Sequence, residues 1–391
     1  MRASSFGLIV LALGVVSTTA QAQYQGFYDP SLSQVVFVPP LPDRQMAMQH
    51  LPDASPVELA RATYAESSGI LTAPTVEDPI LAGVPCCVSR TYVQVDGLFW
   101  HRAGSGCSEV VALNTSSTPP RPVLDTNDPA FNLTGGVRVL VGWNPGCCSH
   151  CSAWELSYFG LYGWQASESA VGNNNLTIPG DLGAASNNFL NADRITANYQ
   201  SDLHNLEFNC VKSCCVCDAT IDFLGGIRFI NLNETFSLIG DDSADEGVGT
   251  YSINTNNYLY GLQLGGRYTH HCCNWSVQLI GKGGVFLNDV TQSQSVLDSP
   301  FTAGVPFQLR PAIAANGDSV AGLGELGVVA IRPINDIWSF RLAYTALGIG
   351  GLALAPDQLD FTDVTGVSGG GLNTCGWVFL HGGLLGMEAA W

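Results

Sequence analysis

The residues with the most evident capacity for chemistry are thirteen cysteines, eleven of which lie in short runs. Thiolates form disulfides, bind metal ions or act as nucleophiles, and their surroundings decide which of these occurs. Three runs are dense: CCSHC at 147–151, CVKSCCVC at 210–217 and HHCCN at 270–274. The disulfide candidates are Cys86, Cys87, Cys107, Cys147, Cys148, Cys151, Cys210, Cys214, Cys215, Cys217, Cys272, Cys273 and Cys375.

The N-terminal segment predicts an oxidising destination for these thiols. A short basic start, an apolar run at 6–16 and the sequence Ala20-Gln21-Ala22 are typical of a signal peptide, here residues 1–22. Cysteines of exported proteins are usually oxidised, so we expect disulfides within or between neighbouring runs. An odd count leaves at least one thiol free, metal-bound or joined to another chain.

Zinc binding is the sharper alternative. His150 lies among the cysteines of the first dense run, and His270 and His271 precede those of the last. These are zinc-type ligands, but adjacent cysteines depart from the usual C-x₂₋₄-C spacing. We therefore predict no metal and no cofactor. A third interpretation is intermolecular disulfides to other copies of the chain or to a cell-wall protein.

Evidence for catalysis in the sequence is sparse. The chain contains no H-E-x-x-H, P-loop or EF-hand sequence. On the external side His101 and His381 are conceivable catalytic residues, with Asp96 or Asp289 as partners, and nothing else defines a site around them. We expect girdle or loop histidines and a protein that is not an enzyme.

Alternation of side chains identifies the elements that must position these groups. In residues 257–289, apolar side chains recur at every second position on both sides of the HHCCN break. This is the period of a β-strand, and each arm is longer than the usual strand of about five or six residues. Long paired strands with terminal aromatics indicate a barrel wall that crosses a bilayer.

The same pattern continues along the chain and predicts an all-β fold, a closed antiparallel transmembrane barrel of about ten strands. Short turns alternate with long loops rich in Asn, Ser and Gly, the layout of periplasmic turns and external loops. The barrel occupies 89–391 and follows a Pro-rich, partly disordered periplasmic extension at 23–88. The predicted strands cover residues 90–102, 132–143, 153–164, 202–210, 219–232, the two arms of 257–289, 320–332, 337–347 and 376–391.

This topology sorts the cysteines. Eleven of the thirteen fall at the periplasmic rim. Cys107 and Cys375 fall in the first and last external loops, which barrel closure makes neighbours. We therefore predict a disulfide between these two cysteines.

The pleat then assigns side chains to faces. Apolar residues point outward, including Trp164, and the tryptophans at 143, 154, 275 and 338 lie beside short turns as an aromatic girdle. An Arg or Lys facing lipid at the midplane would cost about 2–4 kcal/mol, and no charge falls in the middle of an outward face. The predicted lumen charges are Asp96, Arg138, Glu155, Glu207, Asp222, Arg228, Arg267, Lys282, Glu325, Arg341 and Glu388.

The lumen charges have two interpretations. They form either an ion-paired plug or the polar eyelet of a selective pore. Barrels of about this size are usually filled by side chains, which favours the plug.

Charge excludes one class of partner. The net charge is −18, from 15 basic and 33 acidic residues, whereas nucleic-acid binding requires a basic surface. The expected partners are outer-membrane lipid and, through cysteines, cell-wall protein or other barrels.

Three segments carry a resemblance to a known family: 221–238 (IDFLGGIRFINLNETFSL), 253–288 with its HHCCN turn, and the glycine-rich end HGGLLGMEAAW at 381–391. The chain resembles a family of outer-membrane β-barrel proteins of planctomycete bacteria, over roughly residues 90–391. The resemblance implies an outer-membrane location and a barrel fold, and it implies no activity.

Together these observations predict an integral outer-membrane protein with a structural or surface-presenting envelope role and a narrow, charge-filled lumen. A narrow porin for small solutes is the alternative, and an outer-membrane enzyme is a third class.

Overall fold

A computed structural model describes residues 90–105, 108–145, 153–180, 182, 188–216, 218–243, 248–272, 274–299, 307–361 and 371–391. The chain divides into two units after residue 80, and all described residues belong to the second. The predicted signal peptide and periplasmic extension lie outside the described residues.

Twelve strands make up almost all of the described structure. A single turn of 3₁₀-helix, Pro356–Gln358, follows the eleventh strand. No helix in the described ranges is long and apolar enough to cross a bilayer. The strands are β1 (Arg90–Ser105), β2 (Val110–Asn114), β3 (Arg121–Asp125), β4 (Thr134–Asn144), β5 (Ala153–Thr177), β6 (Leu190–Val216), β7 (Ala219–Asp241), β8 (Val248–Cys272), β9 (Trp275–Ser299), β10 (Phe307–Pro333), β11 (Trp338–Leu352) and β12 (Gly376–Ala390).

Ten of the strands close into an antiparallel barrel, in the order β5-β4-β1-β12-β11-β10-β9-β8-β7-β6 and back to β5. The first and last strands pair over most of their length, from Tyr92 opposite Ala390 to Ser105 opposite Val378. This confirms the predicted all-β barrel and its strand number. Closure leaves no open sheet edge in the barrel, as a bilayer requires.

The two remaining strands were not predicted. We call the end of the barrel with the short turns, such as those from β6 to β7 and from β8 to β9, the lower end, and the opposite end the upper end. β2 and β3 form a short hairpin that pairs with the upper end of β5. Each has only five residues. A strand of that length shows too few alternating positions to stand out from a polar loop.

The barrel wall has two heights. β5 to β10 contain 23–27 residues each, whereas β1, β4, β11 and β12 contain 11–16. The strands predicted from the sequence were too short on the tall side: those that run upward ended too early, and those that run downward began too late. Beyond the apolar band the outward positions become polar, as at Asn198 and Gln200, while inward positions such as Tyr199 stay buried. The apolar alternation that marks a strand therefore fades before the strand ends.

An outward apolar band encircles the lower part of the barrel. We call it the lipid band; its lower edge contains exposed Trp143, Trp154, Trp275 and Trp338. Its upper edge on the tall side is one row of directly paired residues: Leu206, Phe229, Tyr260, Leu287 and Val320.

One predicted outward residue faces the other way. Trp164 is 0% exposed and belongs to the interior core, so its predicted outward orientation is wrong. The β5–β6 register shifts between Leu161 and Trp164, and Gly163 has φ +74°. The irregularity inserts an extra residue into β5, so residues beyond it that simple alternation would point outward point inward instead.

Candidate functional site

The lower lumen is crossed by a four-residue charge network between β6, β7, β9 and β10. Arg228 Nη1 lies 2.7 Å from Glu325 Oε2 and 3.5 Å from Glu207 Oε1. Lys282 Nζ lies 2.9 Å from Glu207 Oε2 and 3.3 Å from Glu325 Oε1. Two cations and two carboxylates therefore neutralise one another inside the barrel.

A second group lies between β5, β7 and β8. Arg267 Nη2 donates to Glu155 Oε1 and its Nε donates to Asp222 Oδ2, both at 2.7 Å. The Tyr92 hydroxyl of β1 also donates to Glu155 Oε1, at 2.5 Å. The group therefore links strands from opposite parts of the wall across the lumen.

A third group joins β1, β11 and β12. Arg341 Nη1 lies 3.0 Å from Glu388 Oε2, and its Nε lies 3.5 Å from Asp96 Oδ1. Gln94 donates to the same Glu388 oxygen at 2.9 Å. Carboxylates of two neighbouring strands thus share one guanidinium.

These three groups contain every predicted lumen charge except Arg138. Arg138 lines a small cavity with Glu155, Arg267 and Lys282. The cavity has room for about 10 Å³, roughly one water molecule. The Ser157 hydroxyl, which also lines it, is buried without a protein partner, and one water would satisfy it.

The structure also contains a buried ion pair that was not predicted. Arg102 Nη1 lies 2.5 Å from Glu234 Oε1, and both side chains are almost completely inaccessible. Arg102 also donates to the hydroxyl of Tyr199 at 2.8 Å, and that hydroxyl donates to Glu234 Oε2 at 2.9 Å. Burial raises the pKa of the Tyr199 hydroxyl well above its ordinary value, so it stays a neutral donor. This cluster lies above the lipid band.

The sequence carried a signal for this pair. Arg102 lies an even number of residues from inward Asp96 on β1, and Glu234 lies an even number of residues from inward Asp222 and Arg228 on β7. Alternation along a strand therefore predicts that both point inward. The predicted fifth strand stopped at Leu232, two residues short of Glu234. A strand continued by one more pleat would have included it.

Above the ion pairs, the chain after β11 folds into the lumen. We call residues 353–361 the plug segment; Ala353, Leu354 and Ala355 are each 0% exposed. Asn257 holds it with both ends of its amide. Its Oδ1 accepts from the Ala353 N–H and its Nδ2 donates to the Ala353 carbonyl, each at 2.8 Å. Glu234 Oε2 accepts from the Ala355 N–H at 3.0 Å, which ties the plug segment to the buried ion pair.

The far end of the plug segment is held by the tall wall. Gln294 donates to the Gln358 carbonyl at 2.9 Å, and the Tyr251 hydroxyl accepts from the Asp360 N–H at 3.1 Å. Phe361 packs edge-on against Tyr251, with ring centroids 6.0 Å apart. Leu354, Ala355 and Phe361 join one continuous apolar cluster with the inner faces of the strands. The upper lumen is therefore a packed core.

The structure brings the two predicted histidines together, but not the predicted acids. His101 and His381 lie opposite each other on β1 and β12, with ring centroids 5.5 Å apart. His381 Nδ1 is hydrogen-bonded to the Tyr344 hydroxyl at 2.8 Å. Both histidines have the outward parity of their strands, whereas Asp96 faces the lumen and pairs with Arg341. Asp289 lies on β9, three strands from β12.

Most of the cysteine predictions cannot be followed in the described residues. Cys210, Cys214, Cys272 and Cys375 have free thiols. No group of metal-binding geometry occurs among the described side chains. The disulfide between Cys107 and Cys375 stays a prediction, with Cys375 exposed and Cys107 outside the described residues. The other candidates outside the described side chains are Cys86, Cys87, Cys147, Cys148, Cys151, Cys215, Cys217 and Cys273.

Comparisons with known proteins give likeness of fold alone. No protein-family model matches the chain. No curated protein matches it either. The outer-membrane protease OmpT from Escherichia coli is similar with a TM-score of 0.40 and 9% identity, over 79% of this chain and 98% of that chain. A Pseudomonas aeruginosa FadL homologue gives 0.21 and 8%, over 78% and 89%. The Pseudomonas putida toluene transporter TodX gives 0.16 and 6%, over 77% and 89%.

One sequence-based expectation is corrected by these comparisons. The chain was expected not to be an enzyme, and the first of these structures is a protease. This finding contradicts the expectation of a non-enzyme. At 9% identity and a TM-score of 0.40 the likeness assigns no reaction and no residue role.

Proposed function

We propose that this chain is an integral outer-membrane protein with a closed, filled barrel. The barrel is a rigid scaffold for the upper parts of β5 to β10, which extend beyond the lipid band at the cell surface. The observation that carries the proposal is the occupied lumen. Three ion-paired groups occupy the lower part, and the plug segment packs into an apolar core above them. A barrel filled in this way has a stiff wall and no continuous aqueous path.

The lipid band supports membrane placement. Leu262 and Leu264 are 70% and 75% exposed on β8, and Val285 and Leu287 are 67% and 68% exposed on β9. Neighbouring apolar side chains of this kind encircle the barrel, and soluble monomers rarely expose patches above a few hundred Å². A bilayer core removes that surface from water.

The ion-paired groups support a scaffold role. Buried charge pairs seldom add net stability, because desolvation offsets their attraction, but they penalise arrangements that separate them. Arg228 and Lys282 join four strands through two carboxylates. We expect them to fix the register of the wall.

Conductance measured in planar bilayers tests the proposal. The purified full chain should insert and carry no steady current. The variant Asn257→Ala, which releases the plug segment at Ala353, should also carry none, because the lower charge network still crosses the lumen. Asn254→Ala, on the outer face of the same strand, is the matched control. A steady current through the wild-type protein would refute the closed scaffold.

A narrow porin is the second candidate. It is favoured by the way in which the plug segment is held, through side-chain hydrogen bonds to a loop that lies between two strands. A loop held at a few points could act as a gate. This alternative predicts a closed wild type and a steady current in Asn257→Ala that Asn254→Ala does not show.

A further inference from the structure

The outer face of the tall wall becomes predominantly polar above the lipid band. The row above the band edge is mixed: His204, Asn231, Tyr258, Asp289 and Asp318. Three further rows, which we call the polar wall, consist of short polar side chains. They are Asp202, Asn233, Asn256, Thr291 and Asn316; then Gln200, Thr235, Asn254, Ser293 and Ala314; then Asn198, Ser237, Ser252 and Ser295.

The polar wall is the outward face of a sheet whose other face is core. On β6, β7 and β8 the alternate residues Tyr199, Phe236 and Ile253 are almost completely buried. Asn254 and Thr291 of the polar wall are exposed. Strands about 4.8 Å apart, with outward residues about 7 Å apart along each strand, make these side chains a regular grid.

The side chains of this grid are almost all of two chemical types, amides and hydroxyls. Asp202 is its only charged residue and Ala314 its only apolar one, and the other members are amides and hydroxyls. Thr235 donates to Asn254 Oδ1 at 2.7 Å, so these two neighbouring members of the grid are hydrogen-bonded to each other. Amides and hydroxyls both donate and accept hydrogen bonds, as sugar hydroxyls do. With one acid and no Lys or Arg, the grid is a poor match for phosphate groups.

The position of the polar wall relative to the bilayer indicates which molecules it contacts. The polar wall continues upward from the row that ends the lipid band, with one mixed row between them. Surface at that height beside a bilayer meets whatever the outer-leaflet lipids carry above their head groups. For glycolipids this is a hydroxyl-rich oligosaccharide.

We propose that the polar wall is a contact surface for the oligosaccharide of outer-leaflet glycolipid. Its amides and hydroxyls bind sugar hydroxyls beside the barrel, while the lipid band contacts the acyl chains of the same molecules. The proposal rests on outer-membrane placement and is independent of whether the lumen conducts.

Stabilisation by glycolipid tests this contact, since a ligand that binds only the folded state raises the unfolding temperature. The full chain is reconstituted in phosphatidylethanolamine and phosphatidylglycerol vesicles that contain either lipid A alone or lipopolysaccharide with a complete core oligosaccharide. Loss of the folded, faster-migrating form on heating gives the unfolding midpoint. We expect the midpoint to be higher with the oligosaccharide than with lipid A, by about 2 °C or more.

Variants separate the polar wall from other causes. Thr235→Val with Asn254→Leu and Thr291→Val should lose the oligosaccharide increment and keep the lipid A midpoint, which reports intact folding. Thr235→Ser with Asn254→Gln should retain most of the increment. The control is Thr115→Val with Ser117→Ala, at the exposed end of the β2–β3 hairpin, and it should retain all of it.

Contrary outcomes are distinct. Equal midpoints with lipid A and lipopolysaccharide, or an increment that survives the triple variant, would overturn the oligosaccharide contact. Failure of the wild-type chain to insert in any vesicle would overturn the membrane placement and this contact with it. Steady current through an inserted protein would refute the closed scaffold and leave the oligosaccharide contact standing.

Discussion

Glu234 is the residue on which the upper lumen converges. Its carboxylate accepts from the Arg102 guanidinium, the Tyr199 hydroxyl and the Ala355 N–H. Arg102 in addition stacks over the Phe131 ring, with its Cζ 4.9 Å from the ring centroid. One buried carboxylate thereby joins β1, β6, β7 and the plug segment.

Removing this carboxylate should therefore be costly. We expect Glu234→Ala to lower the free energy of unfolding by about 3–5 kcal/mol, because it leaves the buried Arg102 without a counter-charge. Urea unfolding in micelles, followed by tryptophan fluorescence, measures the change.

A double variant supplies the control. Arg102→Met with Glu234→Leu removes both charges together and should recover most of the lost stability, since apolar side chains of similar volume can replace a buried pair. A double variant as unstable as Glu234→Ala would show that the unpaired Arg102 charge does not cause the loss of stability in Glu234→Ala.

At the residue scale, parity along strands made much of the lumen predictable. Arg228 could be assigned inward because it lies between outward Ile227 and Phe229. Arg267 and Lys282 have glycine neighbours, and their inward assignment follows from alternation with more distant outward residues such as Leu264 and Leu279. Their partners could not be assigned, since the pairing depends on register across several strands. Arg267 reaches Glu155, which is 112 positions away in the sequence.

An external carboxylate offers a titration at the same scale. Asp193 accepts hydrogen bonds from the Ser243 hydroxyl and from the N–H groups of Asn174 and Ser243. The Ser243 hydroxyl contributes most to holding the pKa of Asp193 below its ordinary value. A carboxylate with a lowered folded-state pKa stabilises the fold above its unfolded-state pKa, and the contribution is lost as pH falls through the folded-state value.

The titration should respond to one hydroxyl. We expect Ser243→Ala to raise the pKa of Asp193 toward its ordinary value, measured from the pH dependence of the carboxyl ¹³C resonance. Ser237→Ala, which removes a hydroxyl from the outer face of β7, should leave that pKa unchanged. An Asp193 titration that does not move in Ser243→Ala would contradict the assigned hydrogen bond.

At the scale of the element, β5 depends on one irregularity. The break at Gly163 turns Trp164 inward, where it fills the core. The Gly163 N–H also donates to Asp202 Oδ1 of β6 at 2.6 Å. Without the irregularity, the upper half of β5 would present its apolar residues to solvent.

Gly163→Ala isolates the conformational part of this dependence. An added Cβ at Gly163 meets no atom within 4 Å, so any loss of stability reflects the φ of +74° and not a clash. We expect a loss of about 1–2 kcal/mol. Gly322→Ala on β10, where an added Cβ also meets nothing within 4 Å, should cost almost nothing. Equal urea midpoints for the two variants would contradict this account.

The elements that sequence could not predict share a physical feature. The plug segment is buried by contacts with Asn257, Glu234 and Gln294, which come from three different strands. Nothing in ALAPDQLDF itself distinguishes it from an external loop. Burial of a loop is a property of the cavity that receives it, and the cavity exists only after closure.

At the scale of the whole molecule, the outer surface divides into two zones along the same strands. On β8 the outward residues pass from Leu264 and Leu262 through Tyr260 to Asn256 and Asn254. Alternation predicted the lower zone and the closed ring, because a bilayer imposes a strict apolar face. It could not predict the upper zone, where water tolerates many side chains and the pattern weakens.

Because of this division, the stability lost on adding an outward charge depends on whether the charge lies in the lipid band or above it. Leu264→Arg places a guanidinium in the middle of the lipid band and should lower the free energy of unfolding by about 2–4 kcal/mol in phospholipid vesicles. Asn254→Arg changes an outward residue of the same strand above the band, and we expect a change within about 0.5 kcal/mol. Urea titration of folded protein reconstituted in the vesicles measures both.

The comparison separates membrane burial from loss of local packing. In detergent micelles, which adapt around a charge, the difference between the two variants should shrink, whereas a packing defect at Leu264 would persist. Leu264→Ala provides the second control, because it removes the same apolar contacts without adding charge. If Leu264→Arg and Asn254→Arg were equally stable in vesicles, the lipid band would not lie in a bilayer. The hydrogen-bonded closure of β1 onto β12 would then belong to a barrel that contacts water or another protein on all sides.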